Sequence, residues 1–514
     1  MPLTRRRFFT RSGSLAAGVA AAPAVLAGPA RAASRTGQRP GRIIMVVSDG
    51  MSLSTLSLAD QFALGSLGRH LEWANLWRDS RATTALMNMR SLNSLVTDSA
   101  AASSSWGGGS RVMNGSLNVL PDGRPLTPLA TLFGQAGWKT GLVTTAEITH
   151  ATPAGFAVNV TDRGQGQVIA EQYLARQLDL LLGGGADHFD PTSRDDRRDL
   201  FAAYAAAGYR VLRDRDALLA APADGRCLGV FAAGHLPYSM DRATDARLAR
   251  AVPTLAEMTR AALRRFEGAE HFLLQVEGAR IDHAAHASDA AAAIHDQLAL
   301  DEALREVLAF QRRHPDTLVV AATDHGNSNP GLNGLGGGYA RSSQHFARLA
   351  AVRRSVPAML TSLLQLSGGQ PAGRRALPDG SMTDVWHIEP QHLVDVVGEG
   401  AGWSVPEPRA AHFAGFLAGK ADPLFDQMIS PVTQLGQLLA NHVGIGWTGN
   451  SHTSDYVPLA ALGPGAGRFR GFVDNTDVFT HFTALAGIDH RNPAAPLIAE
   501  SGPSASEAER WRWA

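Results

Sequence analysis

Residues 272–286 read Phe-Leu-Leu-Gln-Val-Glu-Gly-Ala-Arg-Ile-Asp-His-Ala-Ala-His, and the way this stretch is read decides the fold. Phe272–Val276 is a short apolar run of the kind that suits a strand buried on both faces, as a parallel sheet covered by helices requires. Gly278 then allows the chain to turn sharply. Asp282 and His286 follow at i and i+4, which places them on one face if the segment is helical. A carboxylate and an imidazole at that spacing suit a divalent ion, and Glu277, set apart from them, can serve a different ion. A solvated charged turn is the alternative. It fits poorly with a buried strand directly before it.

The same grammar recurs outward from this stretch. Ile43–Val47 ends in Ser48-Asp49-Gly50, Thr140–Thr144 leads into Ala146-Glu147, and Leu178–Leu182 runs into Gly183-Gly184-Gly185. Leu318–Ala322 ends at Asp324-His325-Gly326, and Val457–Leu462 at Gly463-Pro464. Helix-like stretches such as Thr254–Phe266 and Ala290–Phe310 lie between such runs. Strands alternating with helices predict an α/β fold: a doubly wound, mostly parallel central sheet flanked by helices. In that architecture ligands bind beyond the carboxyl ends of the strands, where the acids and histidines fall. From about 327 to 446 the pattern degrades into short helical pieces punctuated by glycine and proline. This stretch reads as a long insertion, lid- or crown-like, over the active-site end.

Composition bounds the reading. The chain has 514 residues, 45% hydrophobic and 18% charged, so a large core is readily buried and global disorder is excluded. Lys+Arg and Asp+Glu are 47 each, which argues against a nucleic-acid binder relying on a basic field. One cysteine, Cys227, excludes an intramolecular disulfide framework and a thiolate metal cage. The first residues are an address rather than part of the fold. Arg5-Arg6-Arg7 precede Phe8-Phe9, a mild apolar run spans Leu15 to Leu26, and Ala30-Arg31-Ala32 offers a cleavage site, the layout of a twin-arginine signal. The run of 12 residues is too short for a spanning helix, which needs roughly 20. Residues 1–32 are therefore expected to be removed by the twin-arginine export machinery, leaving a catalytic domain over 33–514 in the periplasm or outside the cell. Their removal takes away Arg5, Arg6, Arg7, Arg11 and Arg31 and no acid, so the formal charge falls from zero to −5. No later run approaches 18 apolar residues, so no membrane insertion is expected after signal removal.

Further motifs carry chemistry. Asp49 follows a strand directly, where a carboxylate can bridge two cations, although an Asp-Gly pair alone is usually only a turn. In Thr97-Asp98-Ser99-Ala100-Ala101-Ala102-Ser103, Asp98 resembles a helix N-cap, and Ser99 falls in the first turn, where backbone N–H groups favour an anion. Taken alone, the motif reads first as an ordinary capped helix. His150-Ala151-Thr152-Pro153 follows a strand, and Arg163 beyond it can hold two phosphoryl oxygens in a fork. Asp324-His325 and Ser451-His452-Thr453 add oxygen and nitrogen donors. Most of the 18 histidines are structural or surface residues, His70, His188, His314, His345 and His412 among them. Together the motifs supply nitrogen and carboxylate ligands without sulfur, favouring zinc, and a carboxylate-hydroxyl subset favouring magnesium. Two ions roughly 3.5–4 Å apart stabilise both oxygens of an in-line displacement, which is phosphoryl-transfer machinery.

The ordered set DGM, TDSAAAS, HATP with Arg163, VEGARIDHAAH, TDHG and SHT resembles the alkaline phosphatase family, from Ile43 to about Phe479 apart from the insertion. The resemblance implies that Ser99 is the nucleophile that becomes phosphoserine, that Arg163 clamps the phosphoryl oxygens and that Asp98 orients it. It implies a first zinc on Asp282, His286 and His452, which activates the hydrolytic water and stabilises the leaving group. A second zinc on Asp49, Asp324 and His325 would lower the pKa of Ser99. A magnesium would lie on Asp49, Thr152 and Glu277. His150 and His283 stand where some bacterial members carry an aspartate and a lysine; they are read as phosphate contacts, and they leave the third metal open between magnesium and zinc. Small phosphate monoesters are the implied substrates. Members often dimerise, so the resemblance leaves a homodimer open. A phosphodiesterase of the same superfamily and an exported, non-catalytic metal- or phosphate-binding protein are the alternatives. A sulfatase is disfavoured because Ser99 is followed by Ala100-Ala101-Ala102 rather than the Pro and Arg of a sulfatase pattern.

Overall fold

The computed structural model describes residues 39–334, 338–377, 382–423 and 426–498; the signal expected at 1–32 lies outside them. Strands β1 (Arg42–Ser48), β2 (Thr83–Asn88), β3 (Lys139–Glu147), β4 (Leu180–Gly184), β5 (Tyr209–Leu212), β6 (Arg226–Val230), β7 (Phe272–Gly278) and β8 (Thr317–Ala322) join Val457–Leu462 and Gly471–Asp474 in one ten-stranded sheet. Across the sheet the order is Gly471–Asp474, β2, Val457–Leu462, β8, β1, β7, β3, β4, β6, β5. Only Val457–Leu462 runs antiparallel to its neighbours, so the sheet is mostly parallel as expected.

The central strands are mainly apolar and almost wholly buried because both of their faces are covered. In β1, Ile44 and Val46 enter one core, whereas Ile43, Met45 and Val47 enter the other. In β8, Val319 and Ala321 divide from Leu318, Val320 and Ala322 in the same way. Helices close both faces, several of them begun by a side chain that satisfies exposed backbone donors. A capping box of Thr254 and Glu257 starts Leu255–Phe266, Asp289 starts Ala290–Arg313, and Asp98 starts Ser99–Gly108. Gly278 does not provide the turn expected of it. It ends β7 in the strand, and a Cβ there would press on Leu300 Cβ at 3.1 Å, so the glycine permits close helix-on-strand packing.

Residues 327–446 include the helices Val356–Leu366, Pro390–Ala401, Glu407–Leu417 and Pro431–Val443. Their apolar faces, with Met359, Leu363, Leu393, Phe413 and Leu439, join the core that also holds Leu53–Leu67 and Ala290–Arg313. Asp289 ties the two sets together, accepting from Val356 N at 2.6 Å. Near the site, Gly436 lies so close to the backbone of Ala287 and Ser288 that a Cβ would meet Ala287 O at 2.3 Å. Gly326–Asn327 pairs with His452–Thr453, bringing the two ends of the insertion together. Among the described residues no helix is long and apolar enough to cross a membrane.

Candidate functional site

One carboxylate organises the start of the helix Ser99–Gly108. Asp98, extended at φ −95° and ψ 169°, accepts from Ala101 N through Oδ1 at 2.9 Å. Its Oδ2 accepts from Gly115 N and from Arg163 Nη1, each at 3.0 Å. The helix cap is therefore also the anchor of the guanidinium. Ser99 is the first helical residue, buried, with Oγ 3.1 Å from His325 Nε2. The electropositive end of a helix with a guanidinium alongside is a place for a doubly charged anion.

Sheet register assembles the acids. Val47 is paired with both Glu277 and Ala322, and Thr144 with Glu277, so Asp49 and Asp324 emerge side by side two residues beyond that row. Gly50 makes the approach of Asp282 feasible: its φ is +66°, and a Cβ would fall 2.3 Å from Asp282 Oδ1. Three groups bring one ligand atom from each member within 4.8 Å of the others: Asp282, His325 and His452; Asp49, Asp324 and His325; Asp49, His150 and Glu277. His286 adjoins the first, its Nε2 lying 3.2 Å from His452 Nε2 and 3.3 Å from Asp282 Oδ2. Both oxygens of Asp49, Asp324 Oδ2, Glu277 Oε1 and Thr152 Oγ1 are buried without a hydrogen-bond partner. Orphaned buried carboxylate oxygens are costly unless a cation meets them. The donor set of oxygens and imidazoles fits divalent metals.

The histidines are oriented for that task by the backbone. His286 Nδ1 contacts Asn450 O at 2.6 Å, His452 Nδ1 contacts Thr97 O at 2.8 Å and His325 Nδ1 contacts Gly326 O at 3.3 Å. A carbonyl only accepts, so each Nδ1 donates, and each Nε2 is turned toward the carboxylates, where a cation would take its lone pair in place of a proton. Asn327 Nδ2 donates to Asp282 Oδ1 at 2.7 Å and steadies that carboxylate.

The clustered charge is visible in the proton affinities. Burial, followed by the charges of Asp324, Asp282 and Glu277, holds Asp49 well above the usual carboxyl value. Burial pushes Glu277 up to about 7, although the Thr144 hydroxyl donates to it at 2.5 Å. Burial works to lower His286, but the neighbouring Asp282 outweighs it and raises the ring to about 9. His452 goes the other way, lowered to about 4 by burial first and by His325 next. The surplus of acid over base in a dry space is a demand for cations.

His150 and His283 are neighbours, their ring centroids 5.7 Å apart, but they are held differently from each other. His150 Nε2 lies 3.0 Å from Arg163 Nη2, and His150 also enters the group with Asp49 and Glu277. His283 Nδ1 lies 2.6 Å from Arg280 Nη1. His235, which no sequence motif marks, packs against His283 at 4.4 Å between ring centroids, and its Nδ1 accepts from Glu147 N. Its one signal is a Gly-His pair soon after β6, a strand too short to stand out. Asn327 is legible only as the residue after Asp324-His325-Gly326. Cys227 lies buried near the amino end of β6, opposite the carboxyl ends of the strands where the acids gather.

A sequence model of the family described as Alkaline phosphatase matches residues 41–390. The chain is similar to the streptomycin-6-phosphate phosphatase of Streptomyces griseus, 36% identical over 343 residues that cover 58% of this chain and 76% of that protein. It is similar to alkaline phosphatase 3 of Bacillus subtilis (strain 168), 30% identical over 392 residues, 74% of this chain and 75% of that one. In three dimensions it resembles the crystal structure of Thermus thermophilus alkaline phosphatase, with a TM-score of 0.80 and 34% identity over 96% of this chain and 99% of that chain.

Proposed function

Because this chain belongs to the alkaline phosphatase family and is therefore a metal-dependent phosphomonoesterase, we propose that Ser99 is its nucleophile and that turnover passes through a phosphoserine. The observation that carries this reading is the placement of Ser99 Oγ at a helix N-terminus, 3.1 Å from His325 Nε2, with Arg163 anchored by the same Asp98 that caps the helix. Arg163 binds two phosphoryl oxygens in a fork and presents phosphorus to Ser99. Ser99 gives up its proton as the Oγ–phosphorus bond forms and the ester oxygen departs, protonated, as the alcohol. Water then adds to phosphorus and Oγ leaves, returning free serine and inorganic phosphate. Two such displacements restore the configuration at phosphorus.

Asp282, His286 and His452 are the residues to hold one zinc, and Asp49, Asp324 and His325 a second. Asp49, Thr152 and Glu277 are the residues to hold magnesium, with His150 near enough to favour zinc there instead. When bound, these cations supply Lewis acidity that stabilises the attacking and leaving oxygens. His283, whose ring lies 5.7 Å from that of His150, is the residue to add a second phosphate contact there. The arginine pair near the N-terminus supports export by the twin-arginine route, and small phosphate monoesters are the substrates.

Two variants test the reading. Ser99→Ala is expected to lower turnover of a chromogenic monoester by roughly a thousandfold while metal content per chain stays that of the wild type. Asp324→Ala is expected to lose metal and turnover together. Faster turnover of a diester than of a monoester, or a Ser99→Ala variant as active as the wild type, overturns the proposal.

A further inference from the structure

The helices between β8 and Val457–Leu462 line a half-open cavity of about 220 Å³, apart from the residues of the catalytic site. Its walls carry Arg348, Arg409, His345, His442 and Trp403 against valine, leucine and proline side chains, and no carboxylate lines it. Arg348 Nη1 donates to the carbonyl of His442 at 3.1 Å and lies 3.4 Å from that ring, rather than meeting an acid. Among the described residues the guanidinium of Arg409 has no partner. The excess of positive charge reaches the neighbouring imidazole: burial first, then Arg348 and His345, lower the proton affinity of His442.

Two polar atoms in the wall lack partners. Trp403, 9% exposed, has a buried Nε1 with no acceptor, and His345 Nδ1 is likewise buried and unpaired. An indole N–H can only donate, and a buried donor left unpaired costs about 1–3 kcal/mol, so the wall is short of an acceptor. The same indole packs at 37° on His442, ring centroids 4.6 Å apart, and presents a flat apolar surface. A space of about 150 Å³ takes a benzene-sized guest. This one has room for a ring and a short acidic arm.

We infer that this cavity binds a small aromatic carboxylate, its ring against Trp403 and the aliphatic wall and its acid group on Arg348 and Arg409. The planar guanidinium matches a carboxylate in two parallel hydrogen bonds. The assignment does not depend on the catalytic reading, because none of these side chains belongs to the metal and phosphoryl cluster.

Calorimetric titration of the full chain with 3-phenylpropanoate tests it. The expected result is saturable binding at one site. Affinity should fall by about tenfold or more in the Arg348→Gln/Arg409→Gln double variant, and by a similar factor for the neutral 3-phenylpropanamide. Both arginines are exposed, and unchanged monoester turnover by the double variant reports an intact fold. Binding should be unaffected by Arg163→Ala, which alters the catalytic cluster instead. No saturable heat below about 10 mM, undiminished binding in the double variant, loss in Arg163→Ala, or full displacement by inorganic phosphate each overturns the assignment.

Discussion

At the scale of single residues, positions that pair a backbone need with a chemical one stand out. Gly50 is the sharpest case. Its backbone is left-handed, and a Cβ there would sit only 2.3 Å from Asp282 Oδ1, which leaves no room for a side chain. Gly50→Ala is therefore expected to displace Asp282 or Asp49, lowering metal content per chain and monoester turnover together, with a loss of about 1–3 kcal/mol in stability. A variant with full metal content and full turnover counts against this. The residues that meet here are legible one by one, because each lies at or just beyond the end of a strand or at the start of a helix. Asp49, Asp98, Glu277, Asp282, Asp324 and His325 all occupy such places. His235 and Asn327 are not, because nothing local in a lone histidine or asparagine tells which neighbour it will meet.

At the scale of elements, a buried acid ties the long helix Ala290–Arg313 to the inserted helix Val356–Leu366, whose apolar face shares its core. Asp289 accepts from Ala292 N at 2.9 Å and from Val356 N at 2.6 Å. Burial nevertheless pushes it up to about 7 from an ordinary 3.8, the two N–H groups opposing that rise. The fold thus prefers the protonated acid. Its stabilising contribution is complete below about 3.8 and is lost as pH rises through about 7. Asp289→Asn keeps the cap but removes the titration, so the Tm of the variant relative to the wild type should rise between pH 4 and 7. A flat difference across that window contradicts the argument. Strand legibility follows burial in the same physical way. β1 and β8 are covered on both faces and read as apolar runs, and β7 does so but for the buried Gln275 and Glu277. The two outermost strands on each side, Gly471–Asp474 with β2 and β5 with β6, carry no comparable signal: β2 alternates buried and half-exposed positions, and β5 spans only four residues. The insertion is legible as a stretch, but which face its helices cover depends on contacts distant in sequence.

At the scale of the whole molecule, the site ties together strands, helices and both ends of the insertion, so its occupancy bears on stability. Chelation should abolish turnover, and zinc should restore it. It should also lower Tm, because buried carboxylates lose their counter-charges. That drop should be larger at pH 9 than at pH 6. Glu277, pushed up to about 7 when only protons neutralise it, is protonated at the lower pH and bare at the higher one, so the stripped protein weakens as pH rises through that value. An equal drop at both pH values contradicts this. The three convergent groups also share members, His325 belonging to two of them and Asp49 to two. Filling them is consequently a conversation rather than three separate events. Each arrival withdraws electron density from a ligand its neighbour also needs, and relieves the repulsion that neighbour would have met. Stepwise loading curves should therefore depart from a sum of independent hyperbolas, and the order of addition should leave its mark on the intermediates.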